Sequence, residues 1–211
     1  MRIIAGTHRG RILAAPKGLA TRPMLGRVRE AIFNRLSPWT EGARVLDLFS
    51  GTGSLGIEAL SRGAEFVRFL ERGKEARDAL LRNLEDFGLQ DKSEAKAGDA
   101  LAAANHAPLD SGPWDIVFFD PPYPLLDTKQ GRDDLLVSVR SIIHGPLAED
   151  GVFVYHTPAG IMAERDFGTD IEAALGTWGT TDIWFLGRSE DAHEQAPDLA
   201  QAAVDLSGDQ A

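Results

Sequence analysis

The sequence predicts an α/β domain with a mostly parallel sheet, helices on both faces and a small N-terminal extension. Two observations indicate this fold. From residue 44 onward, short runs rich in β-branched and aromatic residues alternate with amphipathic segments, which is the order of repeated β-α-β units. The length of 211 residues and the 43% hydrophobic content suit one compact domain.

The predicted strands are short apolar runs bounded by polar or turn-forming residues. They lie at 44–48, 65–70, 93–97, 115–119, 151–155 and 182–186, within an expected seven-stranded sheet. The predicted helices lie at 53–62, 74–87, 99–105, 132–144 and about 160–174. Gly88 follows the second of these helices, which predicts a left-handed cap at that helix end.

The chain is divided by these patterns into three parts. Residues 1–40 form the extension, in which a hairpin is predicted over 1–22 and an amphipathic helix over 26–36. The main domain is predicted at 41–188. Residues 189–211 contain six acids and no Lys or Arg, a composition that is typical of a mobile acidic tail.

Positive charge is concentrated at the N-terminal end of an otherwise acidic chain. The formal net charge is −10. Residues 1–44 carry +7, from nine basic and two acidic residues, so the remaining residues carry −17. This asymmetry indicates a local anion-binding face, which suits a nucleic-acid partner and equally suits an ordinary solvated surface.

Composition excludes several other classes of protein. The absence of cysteine rules out disulfides and thiolate metal sites, and the five scattered histidines favour no metal centre. No apolar run reaches the length of about 20 residues that a membrane span requires. No signal peptide is visible at the N-terminus, so we expect the protein in the cytoplasm.

A glycine-rich loop follows the first predicted strand and opens the first helix of the domain. Gly51, Gly53 and Gly56 match the pattern G-x-G-x-x-G, which is typical of dinucleotide sites but weakly specific. Glu71 lies 20 residues after Gly51, at the end of the second strand, where dinucleotide sites place a ribose-binding acid. A nicotinamide-dependent oxidoreductase is therefore one alternative.

Asp47, which lies in the first strand four residues before Gly51, favours a different ligand. Its carboxylate would repel a pyrophosphate but attract the cationic end of S-adenosylmethionine, which carries a sulfonium and an ammonium group and no phosphate. Glu71 would then accept from both ribose hydroxyls, and Asp99, after the third strand, would lie beside the adenine amino group. Together with the glycine loop, Asp47, Glu71 and Asp99 favour S-adenosylmethionine over a dinucleotide as the ligand.

The stretch FFDPPY, residues 118–123, places an acid, two prolines and an aromatic ring at the end of the fourth strand. Ligands of such sheets bind at the carboxyl ends of the strands, and prolines stiffen this turn. The Asp120 carboxylate and the Pro121 carbonyl could hold the amino group of a nucleobase, while Tyr123 stacks on the flipped-out base. The stretch predicts methylation of an amino group without a metal.

These motifs resemble the 16S ribosomal RNA guanine-N2 methyltransferase family of the RsmD type, whose members have a Rossmann-like class I methyltransferase fold. The resemblance covers about residues 1–125 and, more loosely, the chain to about 188. The matching segments are MRIIAGTHRGRIL, TRPMLGRVREAIFN, LDLFSGTGSLGIEALSRGA, ERGKEARDALLRNL, GDAL and FFDPPY.

The resemblance implies S-adenosylmethionine as methyl donor and N2 of a guanine in 16S rRNA as acceptor. The catalytic candidates are Asp120, Pro121, Pro122 and Tyr123. The cofactor-binding candidates are Asp47, Phe49, Gly51, Gly53, Glu71, Arg72, Asp99, Ala100 and Asp120. The RNA-binding candidates are Arg9, Arg11, Arg22, Arg27 and Arg29, of which Arg22 and Arg27 would frame the entrance with Pro23.

An acidic body with a basic arm would bind free RNA weakly. We therefore expect the substrate to be the small ribosomal subunit or an assembly intermediate, and we expect a monomer. Two departures from the family pattern affect the entrance, where Met24 replaces the usual Thr and Gly26 replaces an acid. A third departure is His156, which lies where the family usually has an acid at the end of the fifth strand. We expect His156 to be a surface loop residue without a role.

Three alternatives to rRNA guanine methylation stay open at this point. A DNA adenine-N6 or cytosine-N4 methyltransferase would need a recognition domain, for which 211 residues leave little room. A nicotinamide oxidoreductase would bind NADH and not S-adenosylmethionine. A non-enzymatic RNA-binding assembly factor would keep the fold but not the turnover, which the intact D-P-P-Y sequence argues against.

Overall fold

The computed structural model describes residues 1–16 and 24–189. Within this part, the helices are α1 (Gly26–Arg35), α2 (Ser37–Thr40), α3 (Ser54–Ser61), α4 (Lys74–Phe87), α5 (Tyr123–Leu126) and α6 (Lys129–His144). The strands are β1 (Arg44–Leu48), β2 (Phe66–Leu70), β3 (Ser93–Lys96), β4 (Trp114–Phe119), β5 (Leu147–Pro158), β6 (Ile171–Trp178) and β7 (Thr181–Arg188).

The seven strands form one sheet in the order β3-β2-β1-β4-β5-β7-β6. Strands β1 to β5 pair in parallel, whereas β7 is antiparallel to both of its neighbours. This is the predicted Rossmann-like class I methyltransferase topology, and it is confirmed. The strand order reverses between β1 and β4, so the carboxyl ends of these two strands flank the crevice where ligands of such sheets bind.

Two apolar cores cover the two faces of the sheet. One core contains Val45, Val67 and Ile116 from the strands together with residues of α1, α3 and α4. The other contains Val117 and Phe153 together with the apolar face of α6. Because successive strand residues point to opposite faces, buried strands of this kind carry apolar side chains at nearly every position, as the sequence shows.

The N-terminal hairpin is present as a short antiparallel pair rather than as two regular strands. Arg2 and Ile12 form an isolated antiparallel bridge, and the Ile3 N–H donates to the Arg11 carbonyl at 2.9 Å. Ile3 and Leu13 are buried in the same core as α1. The extension is therefore packed onto one face of the sheet.

Two buried polar side chains hold this extension in place. Glu58 of α3 is fully buried and accepts the N–H groups of Ile4 and Ala5 at 2.8 and 3.0 Å. Asn83 of α4 accepts the N–H of Ala14 at 2.7 Å and donates to the Ala14 carbonyl at 3.1 Å. Loss of either side chain would leave part-buried backbone groups of the extension without these partners.

Two predicted helices are wrong. The helix predicted at about 160–174 is instead a 3₁₀ turn, Glu164–Asp166, followed by strand β6. Gly168, at φ +91°, breaks any helix there, and β6 pairs with β7 across a turn at Gly179. The helix predicted at 99–105 is reduced to the 3₁₀ turn Ala103–Asn105.

Side-chain hydrogen bonds explain the lost helix at 99–105. An Asp99 carboxylate oxygen accepts the Leu101 N–H at 3.0 Å, and the Asn105 amide donates to the Asp99 carbonyl at 2.9 Å. Such local bonds compete with helix formation.

The cap predicted at Gly88 is confirmed, with φ +66° and ψ +41°. Of the tail predicted at 189–211, residues 190–211 lie outside the described residues. Every described helix is too short or too polar to span a lipid bilayer.

The close packing of α3 against β2 gives a testable prediction at Gly56. A Cβ at this position would lie 2.3 Å from a Phe69 ring carbon and 2.8 Å from a Val67 methyl group, both buried. We expect Gly56→Ala to lower the free energy of unfolding by about 1–3 kcal/mol, the usual cost of overpacking. Urea denaturation measures this change.

Gly26→Ala is the matched control, because a Cβ there meets no described atom within 4 Å and α1 favours alanine. This variant should be as stable as the wild type or more so. Equal urea midpoints for Gly56→Ala and the wild type would contradict the packing argument.

Candidate active site

Four acidic residues lie at the carboxyl ends of four neighbouring parallel strands. Asp47 is the penultimate residue of β1, Glu71 follows β2, Asp99 lies beyond β3 and Asp120 follows β4. The register aligns Asp47 with Phe69 on one side and with Phe118 on the other. The fold therefore gathers these predicted residues at one edge of the sheet.

The loop between β1 and α3 is strained and close to the sheet. Gly51 and Gly53 have φ +57° and +83°, and Phe49 has φ +59°, the one positive value outside glycine in the described residues. The Phe49 ring packs edge-on against Phe119, with centroids 5.4 Å apart. A non-glycine residue with positive φ costs energy and often marks a functional turn.

Asp47 and Glu71 hold the glycine loop through its backbone. The buried Asp47 carboxylate accepts the Gly56 N–H at 2.9 Å. One Glu71 oxygen accepts the Gly51 N–H at 2.8 Å, and the other accepts the Gly73 N–H at 2.6 Å. Both carboxylates are thereby fixed in orientation and keep lone pairs for a ligand.

The loop after β3 carries the exposed Asp99 and the buried Ala100. His106 is buried, and its Nε2 lies 2.7 Å from the Ala100 carbonyl oxygen. Trp114 of β4 donates its indole N–H to the His106 carbonyl at 2.9 Å. The Asp99 loop is therefore tied to the sheet.

Arg72, beside Glu71, is exposed to solvent.

The D-P-P-Y turn stands where β4 ends. Asp120 is half-buried, Pro121 is buried, and Pro122 has φ −64° and ψ +138° at the start of α5. Tyr123 begins α5 and is 38% exposed, so its ring is available to a ligand. The turn presents a carboxylate and an aromatic side chain on a rigid backbone.

His156 contacts the D-P-P-Y turn, which the sequence analysis did not anticipate. It was expected on a surface loop, but it lies in β5 and is 8% exposed. Its Nδ1 is 2.6 Å from Oδ1 of Asp120. The predicted strand 151–155 ended three residues too early, because β5 continues to Pro158. In the observed register Phe119 aligns with Tyr155, so the residues that follow them, Asp120 and His156, are neighbours.

Burial raises the pKa of Asp47 to about 8, with the nearby Asp120 and Glu71 raising it further and the Gly56 N–H opposing the shift. Within residues 1–16 and 24–189, neither Asp47 nor Glu71 has an ion-pair partner. The crevice thus holds several acids and little compensating positive charge. A ligand with a positive charge and hydroxyl groups fits this edge, whereas a pyrophosphate would be repelled.

The predicted RNA-binding arginines differ in exposure. Arg9 and Arg27 are exposed, and Arg9 lines an open cavity of about 460 Å³ with Arg2. Arg11 lies 4.0 Å from the centroid of the Phe87 ring and donates to a backbone carbonyl of α4, which leaves it partly engaged. Arg22 lies outside the described residues.

Arg29 does not fit the predicted contact with RNA. It is 1% exposed, and its guanidinium donates to the Met1 sulfur and the Arg2 carbonyl and lies near Glu58. It therefore stabilises the N-terminal segment from inside. Met24, one of the departures from the family pattern, packs against the apolar core.

Comparison with known sequences identifies a family and several relatives. A family model described as "Conserved hypothetical protein 95" matches residues 1–157. "Putative rRNA methyltransferase YlbH" of Bacillus subtilis is 34% identical over 185 residues, covering 87% of this chain and 96% of that protein. "Ribosomal RNA small subunit methyltransferase D" of Escherichia coli is 39% identical over 127 residues, covering 58% of this chain and 60% of that protein.

Among solved structures, "Putative methyltransferase yhhF from Escherichia coli" superposes with a TM-score of 0.73 at 28% sequence identity. The superposition covers 90% of this chain and 98% of that chain. The similarity therefore extends over most of the chain.

The raised pKa of Asp47 predicts how stability depends on pH. Between its ordinary pKa of 3.8 and about 8, the native protein binds a proton that the unfolded chain releases. The free energy of unfolding should therefore fall as pH rises through this window. We expect Asp47→Asn to remove part of this fall, measured from urea midpoints at pH 5 and pH 8.

The exposed Asp110, which lies in a turn, provides the matched control. Asp110→Asn should follow the wild-type pH dependence. The prediction fails if Asp47→Asn loses as much stability between the two pH values as the wild type does.

Proposed function

The chain belongs to the family described as conserved hypothetical protein 95, as its motifs predicted, and on that premise we propose that it methylates N2 of a guanine in 16S rRNA. S-adenosylmethionine is the methyl donor. The observation that carries the proposal is the rigid D-P-P-Y turn placed beside an acidic crevice at the switch point of the sheet.

The acidic crevice would hold the cofactor. S-adenosylmethionine supplies a methyl group bonded to a positively charged sulfur. Asp47 lies inside the crevice and attracts positive charge, Glu71 accepts from the ribose hydroxyls, and Asp99 lies beside the adenine. Gly51 and Gly53 allow the loop its positive φ values, at which a side chain would be strained, and so keep the loop in this conformation beside the crevice.

The D-P-P-Y turn would hold the target amino group. The lone pair of an exocyclic amine is delocalised into the base, so the amine is a poor nucleophile. Oδ2 of Asp120 and the Pro121 carbonyl each accept one N–H of the amine. These two hydrogen bonds orient the nitrogen towards the methyl group. The rigid turn preorganises both acceptors. Tyr123 stacks on the base once it has left its helix or loop.

Asp120 also accepts the proton that must leave. As the nitrogen lone pair forms the new N–C bond, the bond between the methyl carbon and sulfur breaks and its electron pair stays on sulfur, which leaves as a neutral thioether. The nitrogen then carries one proton too many. The carboxylate that already accepts from this N–H is the nearest described base, so it takes the proton. The pathway needs no metal ligand from the protein.

The exposed arginines of the extension would contact rRNA phosphates. Arg9 and Arg27 are the best placed of the predicted set, with Arg11 partly engaged by Phe87. Because most of the chain is acidic, these few contacts favour a particle over free RNA. The proposed substrate is therefore the small ribosomal subunit or an assembly intermediate.

The direct test is transfer of a labelled methyl group from S-adenosylmethionine to small ribosomal subunits that lack the modification, followed by identification of the labelled nucleoside. We expect N2-methylguanosine. Asp120→Ala should lower the rate about 30- to 1000-fold, because loss of one preorganised polar group costs roughly 2–4 kcal/mol of transition-state stabilisation. Calorimetry should show that the variant still binds the cofactor.

Asp127→Ala is the matched control, since this exposed carboxylate lies seven residues away at the end of α5. It should keep the wild-type rate. Label in another nucleoside would overturn the proposed target but keep the role of the turn. Equal methylation of naked rRNA and of particles would overturn the proposed particle substrate.

A further inference from the structure

We propose that His156 is a positioning residue for the methyl transfer. Its Nδ1–H holds Oδ1 of Asp120 and leaves Oδ2 to the amino group of the target base. The inference rests on the proposed function, because it assigns a role through Asp120. It was not expected from the sequence, where this position departs from the family pattern.

The geometry carries the proposal. The two side chains stand at the ends of adjacent parallel strands, and the 2.6 Å contact is short, as expected of a hydrogen bond with a charged partner. The His156 side chain is 10% exposed and that of Asp120 is 36% exposed. The histidine therefore contacts the carboxylate from the protein side, and the open side of the carboxylate faces the crevice.

The surroundings indicate which form of the ring is present. Nε2 of His156 is buried and has no hydrogen-bond partner among the described residues. A cationic ring would place an N–H at this atom with no acceptor, which is costly. The neutral ring with its proton on Nδ1 suits the site, since Nδ1–H then donates to Oδ1 of Asp120 and leaves Oδ2 as an acceptor for the amine.

The contact has two consequences for Asp120. It fixes the rotation of the carboxylate, so that the second oxygen keeps one direction towards the amine. It also stabilises the negative charge of Asp120 beside the other acids of the crevice, Asp47 and Glu71. The Tyr123 ring lies edge-on to the His156 ring, with centroids 6.4 Å apart, and would cover the stacked base.

Steady-state kinetics with small ribosomal subunits test the role. His156→Leu removes the donor at similar volume, and kcat should fall about 10- to 100-fold, the range for losing a group that orients a functional side chain. The KM for S-adenosylmethionine should stay within about twofold, since the cofactor contacts other residues. His156→Asn places an amide N–H near the Nδ1 position and should retain most of kcat.

Thr157→Val is the matched control. Thr157 is the next residue of β5, is fully buried, and its hydroxyl has no partner in the described residues. The Thr157→Val variant should keep the wild-type kcat. A lower kcat in this variant would indicate general damage to the strand. Unchanged kcat in His156→Leu, or equal losses in the Leu and Asn variants, would overturn the proposal.

A double-mutant cycle tests whether His156 acts through Asp120. In an Asp120→Asn background, His156→Leu should cost little further activity, because its partner is already altered. Multiplicative losses from the two changes would overturn the proposed route.

Proton NMR of the cofactor-free protein separates this inference from the proposed function. A downfield Nδ1–H resonance should be present in the wild type, absent in His156→Asn and shifted in Asp120→Asn. Its absence from the wild type would overturn the contact. If the resonance is present but the wild type methylates no RNA, the proposed function fails while the hydrogen bond stands.

Discussion

The buried carboxylate of Asp47 is the constraint on which this site depends. Burying a carboxyl group at the end of a central strand is unfavourable unless a hydrogen bond or a ligand compensates. The Gly56 N–H supplies part of the compensation at 2.9 Å, which requires α3 to begin close to β1 and to pack tightly against Phe69 of β2. In the free protein a bound proton supplies the rest, because the pKa of Asp47 is about 8. A positively charged ligand can take the place of that proton, which links the fold to the choice of cofactor.

The N-terminal extension and the active site are connected through the same helices. Glu58 of α3 and Asn83 of α4 form hydrogen bonds with the backbone of the hairpin. Asn83 also donates to the Thr52 carbonyl of the glycine loop at 3.0 Å. The segment that presents Arg9 is thus anchored to the helices that flank the cofactor crevice. Basic charge therefore stands at a fixed place relative to the acids, which suits an enzyme that must hold an RNA and a cationic cofactor together.

Residue patterns along the chain predicted secondary structure correctly where the local conformational preference agrees with the tertiary packing. The alternation of apolar strands and amphipathic helices located β1 to β4 and α4 to within about one residue at each end, and glycine spacing located the loop around Gly51. The fifth strand was recognised, but its predicted bounds were too short at both ends. The helix predicted at 160–174 was wrong because pairing with β7 decides the structure of that segment. His156 was missed because its importance depends on strand register, which brings Asp120 beside it from 36 residues away.

The most direct test of the central claim is to count protons when the cofactor binds. Calorimetry of S-adenosylmethionine binding near pH 7, in buffers with different ionisation enthalpies, gives this number. Because the pKa of Asp47 is about 8 before binding, a cationic ligand should release about one proton from the wild type and none from Asp47→Asn. Binding without proton release, or equal release from both proteins, would contradict the account.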